Sequence, residues 1–204
     1  MLKLVIDGIK AGIMIAIGGS VFLACENRYI GAILFSVALL CICLKGYSLF
    51  TGKVGYLPEK HDKEAFKILL CGLLGNIIST ISLGFAVGFA NPALKETAFA
   101  ICEAKLGQEP LQTLIRAIFC GVLMYMAVST YREKNTLAGI FLCVPVFILA
   151  GFEHSIANMF YFSLSGTFSL KMFAYLLVMT AGNSIGGLLI PAAQKLTAIG
   201  NKQN

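Results

Sequence analysis

The chain has 204 residues, of which 58% are hydrophobic and only 13% charged, and its mean hydropathy is +0.84. A water-soluble domain of this size needs a far more polar exterior, so the composition excludes a soluble enzyme or binding module and points to a bilayer protein. The net charge of +6 comes without basic patches interleaved with aromatics, which argues against nucleic acid as a partner.

Crossing a hydrocarbon core of about 30 Å takes roughly 20 helical residues, and six stretches qualify: 2–24, 29–50, 66–91, 111–131, 136–164 and 171–194. The first carries Asp7 and Lys10 and is long, so it reads as a mature helix and not a cleaved signal peptide. The second holds Phe35, Leu39 and Lys45 and runs into "YSLFTGKVG", Tyr47 to Gly55, which is small, polar and flexible. The third contains "LLGNIIST" and the fourth "LIRAIFCGVLMYM". The fifth starts with the uncharged run "LAGIFLCVPVFILA", Leu137 to Ala150, then places Glu153, His154 and Asn158 in "GFEHSIANMF". The sixth holds "TAGNSIGG", Thr180 to Gly187.

Ten of the 16 cations fall near the N-terminus, in the 2–3 and 4–5 connections or at the C-terminus, and Arg28, Lys95, Lys105, Arg116 and Lys171 fall on the other side. The positive-inside rule then predicts that both termini are cytoplasmic. The seven Cys are scattered without paired spacing, so neither a metal site nor a disulfide framework is expected, and no cofactor motif is present. The GxxxG patterns at Gly8–Gly12, Gly84–Gly88 and Gly182–Gly186 predict close helix packing.

"LLGNIIST" resembles "TAGNSIGG", and "GIKAGIMIAI" aligns with "LIRAIFCGVLMYM", at an offset of 106 or 107 residues. Three crossings per half is an odd number, so the second copy enters the membrane from the opposite side and the repeat is inverted, a transport architecture. The expected halves are about 1–95 and 105–200 of one transmembrane domain. At the same offset "FEHSIANM" meets the region of "YSLFTGKVG", which predicts breaks in helices 2 and 5 facing one another. Irregular backbone survives at membrane depth only where protein buries it or a cavity solvates it.

The residues "LFTGK" at Leu49–Lys53, "EAKLGQEPLQTLIRAIFCGVL" at Glu103–Leu123, "GFEHSIANMF" and "GNSIGG" resemble the formate/nitrite transporter family in order and spacing. That resemblance implies an aquaporin-like six-helix protomer in a homopentamer, with a small-anion pathway through each subunit. It also implies a central His154, a break carrying Leu49, Phe50 and Thr51, a constriction at Leu39 and Leu49, and another at Phe35 and Phe147. Lys105 matches an outer-vestibule Lys, and Asn183 an Asn supporting the His. The chain departs from the family pattern at Ser48, where an acidic residue is usual, at Lys53, at Cys120-Gly121 and at Lys45.

Desolvation makes a lone anion costly in a narrow apolar passage. Lys105 is expected to concentrate anions, the apolar rings to strip water, and His154 to hydrogen-bond the anion or protonate it, imidazole titrating near pH 6.5 when unperturbed. His154 as a plain helix-packing hydrogen bonder is the competing reading. Glu153 is expected to brace the break, Thr51 serves equally as a turn hydroxyl or a ligand, and Lys45 is expected near the bilayer centre, adding cationic potential. An aquaporin-like pore for neutral solutes is the alternative function, opposed by the absence of paired Asn-Pro-Ala boxes; a membrane enzyme lacks a visible nucleophile and base.

Overall fold

The computed structural model describes the backbone of residues 1–200 and the side chains of residues 1–197. The protein is an all-α integral membrane protein. Its helices are α1 (Leu2–Ala24), α2 (Arg28–Lys45), α3 (Phe50–Lys53, continued by a 3₁₀ turn Val54–Tyr56), α4 (Lys63–Ala90), α5 (Pro92–Leu106), α6 (Pro110–Lys134), α7 (Ala138–Leu149), α8 (Ser155–Ser165) and α9 (Leu170–Gly200). Helices α1, α2, α4, α6 and α9 are each long and apolar enough to span a bilayer, and α7 with α8 makes the sixth crossing. An even number of crossings leaves the start of α1 and the end of α9 at one end of the bundle, called proximal below, with the α1–α2 and α4–α5 connections at the distal end.

Between the third and fourth of the stretches marked in the sequence, the chain forms a further helix, α5. Asn91 caps it through Oδ1 to the Leu94 N–H at 3.2 Å, and Pro92 occupies its first turn, where no amide partner is needed. Its buried residues Leu94, Ala98, Cys102 and Leu106 recur every turn and form one stripe, which lies against α8. Every residue of α8 is buried as a result.

α1 pairs with α4 and α6 with α9, in both cases backbone to backbone. A Cβ at Gly8 would meet the Cα atoms of Gly72 and Gly75 at 3.0 Å, and one at Gly121 would meet the Gly187 amide nitrogen at 2.8 Å. No side chain fits at position 121. The Cys120-Gly121 departure is therefore a requirement of the α6–α9 crossing and concerns packing.

The two broken crossings repeat one motif. Gly46 and Gly151 both adopt positive φ, 68° and 71°, a left-handed conformation open to glycine without steric cost. The Tyr47 N–H returns to the Ile42 carbonyl at 3.0 Å and the Phe152 N–H to that of Phe147 at 2.9 Å. The Ser48 and Glu153 amides then cross to the first helix of their own half, donating to Asp7 O at 3.1 Å and Arg116 O at 3.4 Å. Asn76 of α4 completes the first break: Oδ1 accepts from the Phe50 N–H at 2.9 Å, while Nδ2 donates to the carbonyls of Gly8 at 2.8 Å and Ser48 at 2.9 Å. Asn183 of α9 does the same for the second, accepting from the Ser155 N–H and donating to the carbonyls of Ala117 and Glu153, all at 2.8 Å.

These bonds give the inverted repeat its register. Tyr47–Val54 superposes in sequence on Phe152–Met159, so Leu49 stands where the second half has His154. Gly8 answers to Ala117 and not to Leu114, so the α1–α6 alignment read from sequence is out by nearly one helical turn. Both breaks are also shorter than expected: the helix resumes at Phe50 and at Ser155, which makes "FTGK" and "SIANM" helical.

Candidate functional site

His154 is the N-cap of α8, where the first amides of a helix lack intrahelical partners. Its Nδ1 accepts from the Ala157 N–H at 3.1 Å, so the ring proton of the neutral imidazole is on Nε2. That nitrogen lies 2.8 Å from Thr51 Oγ1, and its N–H donates to the hydroxyl. The Thr51 proton is left free to donate elsewhere. His154 and Thr51 are 3% and 1% exposed, and each sits just past the break of its own half. The contact therefore ties the two halves together at the pseudo-two-fold axis.

Aromatic rings close the distal side of this pair. The Phe147 ring stacks on the His154 imidazole at 5.7 Å between centroids and 17° between planes, and Phe35 meets Phe147 edge-on at 6.4 Å and 85°. A distal cavity of about 260 Å³ opens above them, lined by Phe35, Phe147 and His154 together with Arg28, Lys105 and Asn158. A proximal cavity of about 390 Å³ lies on the other side, reaching Leu39 and Leu49 at one end and Lys53, Lys60 and Arg132 at the other. Leu39 and Leu49 are 2% and 1% exposed.

Glu153, 1% exposed, anchors the distal side of the break. Its carboxylate accepts from Lys105 Nζ in an ion pair, from Gln108 Nε2 at 3.1 Å and from Asn158 Nδ2 at 2.8 Å. Burial of a free carboxylate is costly and three donors offset that cost. The Lys105 charge is thus tied to Glu153, where sequence reasoning expected a free vestibule cation. Lys105 and Gln108 reach this position because α5 and the turn after it fold back over α8.

Three other expectations change. Asn183 does not touch the imidazole; it holds the backbone on either side of His154. Phe50 is buried at 6% exposure and lines neither cavity. Lys45 is exposed, lines neither cavity, and closes the last turn of an 18-residue helix. At 1.5 Å per residue that helix is about 27 Å long, so Lys45 sits at the proximal rim, where its stem brings the amine to water. Sequence reasoning passed over Gln108, Arg28 and Arg132 as pathway neighbours. Lys53 was visible only as a departure from the family pattern.

A family model described as formate/nitrite transporter matches residues 1–196. The chain is 26% identical over 234 residues to the formate-nitrite transporter of Plasmodium knowlesi (strain H), covering 94% of this chain and 74% of that protein. Among solved structures, it superposes on an FNT family ion channel with a TM-score of 0.84 at 21% identity, covering 97% of this chain and 90% of that one. It also superposes on a pentameric formate channel with formate bound, with a TM-score of 0.74 at 23% identity and 97% of both chains covered.

Proposed function

The chain belongs to the formate/nitrite transporter family, and from that membership we propose that it carries small monovalent anions, of the size of formate, nitrite or hydrosulfide, through a pore in each protomer. The observation that carries this reading is the His154–Thr51 pair, 2.8 Å apart, flanked by Phe35 and Phe147 on one side and Leu39 and Leu49 on the other.

In this reading the phenylalanine and leucine rings strip water from the permeant species. The polar group it meets between them is the Thr51 hydroxyl, oriented outward because His154 Nε2–H donates to its oxygen. The imidazole is fixed in that tautomer by the Ala157 N–H. A second proton on Nδ1 would face that N–H and break the cap, so the pair acts first as a hydrogen-bond donor to the anion. Proton transfer during passage requires the cap to open.

The protomers assemble as a homopentamer in the cytoplasmic membrane with both termini cytoplasmic, which makes the proximal cavity the inner vestibule. The family membership and the charge distribution support this arrangement. Flux into liposomes of formate, nitrite, hydrosulfide, acetate and chloride tests the function, with glycerol and water as neutral controls. Saturable flux of the three small weak-acid anions above acetate and chloride is expected. An equal response to anions and neutral solutes would replace the reading with the aquaporin-like alternative.

A further inference from the structure

The repeat register exposes an asymmetry between the two mouths. At the distal break, the motif positions occupied by Glu153 and Asn158 form one network that holds the Lys105 ammonium. The corresponding positions at the proximal break are Ser48 and Lys53. The carboxylate of the motif is missing there, and the amide is replaced by a cation. Lys53 is half-buried and lines the proximal cavity. Among the described residues it has no salt bridge. The Asp7 carboxylate, on the residue whose backbone carbonyl accepts from the Ser48 N–H, is bonded to Lys10 at 3.0 Å.

A second cation is held in the same cavity. The Arg132 guanidinium lies 3.9 Å over the Tyr56 ring, and Tyr56 packs on Tyr125 at 5.8 Å between centroids. Stacking fixes the guanidinium plane and leaves its edge donors available. Both side chains face a cavity of about 390 Å³ whose far end is the apolar pair Leu39 and Leu49.

We propose that Lys53 and Arg132 form a standing binding site for a small monovalent anion at the proximal mouth, in which a carboxylate-type anion takes the place that Glu153 fills for Lys105. This rests on the anion-transport reading and adds to it: the proximal mouth, with two cations held side by side, captures anions from dilute solution, whereas the distal mouth, with Lys105 neutralised and only Arg28 left, which donates to the Ile148 carbonyl at 3.2 Å, captures them less well. Capture from the proximal side therefore saturates at lower concentration. The chemistry selects a compact anion with one or two oxygen acceptors, because the site offers one ammonium and one planar donor edge.

Cys43 lines the same cavity and is partly exposed, which provides a reporter that needs no transport. The test compares its rate of modification by anionic, neutral and cationic methanethiosulfonates in the reconstituted protein with Cys41 replaced by Ser, read by peptide mass spectrometry. At 20 mM salt the anionic reagent should outpace the cationic one by at least about tenfold relative to the neutral reagent, the lower end of focusing in a charged cleft. Formate should slow the anionic reagent saturably. Lys53→Gln should lower the ratio severalfold, Arg132 and Lys60 keeping it above one, and should remove the formate protection; Lys53→Arg should keep both, and 0.5 M salt should suppress the ratio in the parent chain. An unchanged neutral-reagent rate in Lys53→Gln certifies an intact cavity. A ratio that is the same in Lys53→Gln as in the parent, or formate protection that survives that change, overturns the site. Flux measured in parallel separates the two readings: absent flux with an intact ratio removes the transport function and keeps the site.

Discussion

Removing Asn183 tests whether it serves the break or the permeating species. In Asn183→Ala, the Ser155 N–H and the Glu153 carbonyl lose their partner in a dry interior, and the Ala117 carbonyl loses its side-chain donor while keeping its place in a helix. An unsatisfied buried donor or acceptor costs about 1–3 kcal/mol, so the two orphans alone come to roughly 2–6 kcal/mol, to which the third loss adds a smaller amount. Asn76→Ala strips the Phe50 N–H and the Ser48 and Gly8 carbonyls in the same way, in the half of the repeat that does not carry the imidazole. The two variants should therefore lose equal stability, within about 1 kcal/mol, by unfolding in detergent followed through helical ellipticity. Asp at either position restores a partner for the N–H but sets a carboxylate against two carbonyl oxygens, and should be no better than Ala. If Asn183→Ala unfolds like the parent while flux collapses, Asn183 is a pathway ligand and the bracing account is wrong.

His154→Asn keeps a good N-cap for α8 but gives up the reach to Thr51, so the oligomer should persist while formate loses its advantage over chloride; the ratio of formate to chloride flux measures this, and a parental ratio leaves the imidazole a packing role only. Lys105→Ala strands the buried Glu153 carboxylate and should cost about 3–5 kcal/mol, a loss that persists in 0.5 M salt and is relieved by adding Glu153→Gln. Salt-sensitive flux with an unchanged melting temperature would instead return Lys105 to the role of a free cation. Lys45→Met should leave anion selectivity unchanged, because Lys45 lies at the proximal rim and outside both cavities; reduced selectivity over neutral solutes contradicts that placement.

The six crossings and both breaks were legible because apolar run length and polar interruption are one-dimensional signals. α5 was not, because its apolar stripe is one residue per turn in a segment rich in Lys and Glu, and only the presence of α8 gives that stripe something to cover. The "GN" match between Asn76 and Asn183 pointed to the correct helices, but their bonds run to residues as distant as Gly8 and Ala117, which no local pattern shows. The ion pair of Lys105 with Glu153 was hidden for the same reason. Each residue was singled out, and their meeting depends on how α5 folds back. Lys45 misled because its depth was judged from the centre of an apolar run, whereas Gly46 ends the helix there.

The repeat explains why a histidine and no other capping residue suits position 154. Its counterpart Leu49 caps α3 with no side-chain bond, so the motif itself does not require a polar group; Asn76 and Asn183 already satisfy the break. Ser, Thr or Asp would cap α8 but have no second polar atom with reach to the opposite half. Imidazole offers two nitrogens on opposite edges of one rigid ring. Nδ1 takes the Ala157 amide, the ring lies flat against Phe147, and Nε2 is carried across the axis to Thr51. Thr51 in turn occupies the position of Ile156 in the other half, so the polar pair exists only where the two copies of the repeat have diverged. Leu49 and Ile156 keep the apolar character of that layer, while His154 and Thr51 place one oriented hydroxyl within it.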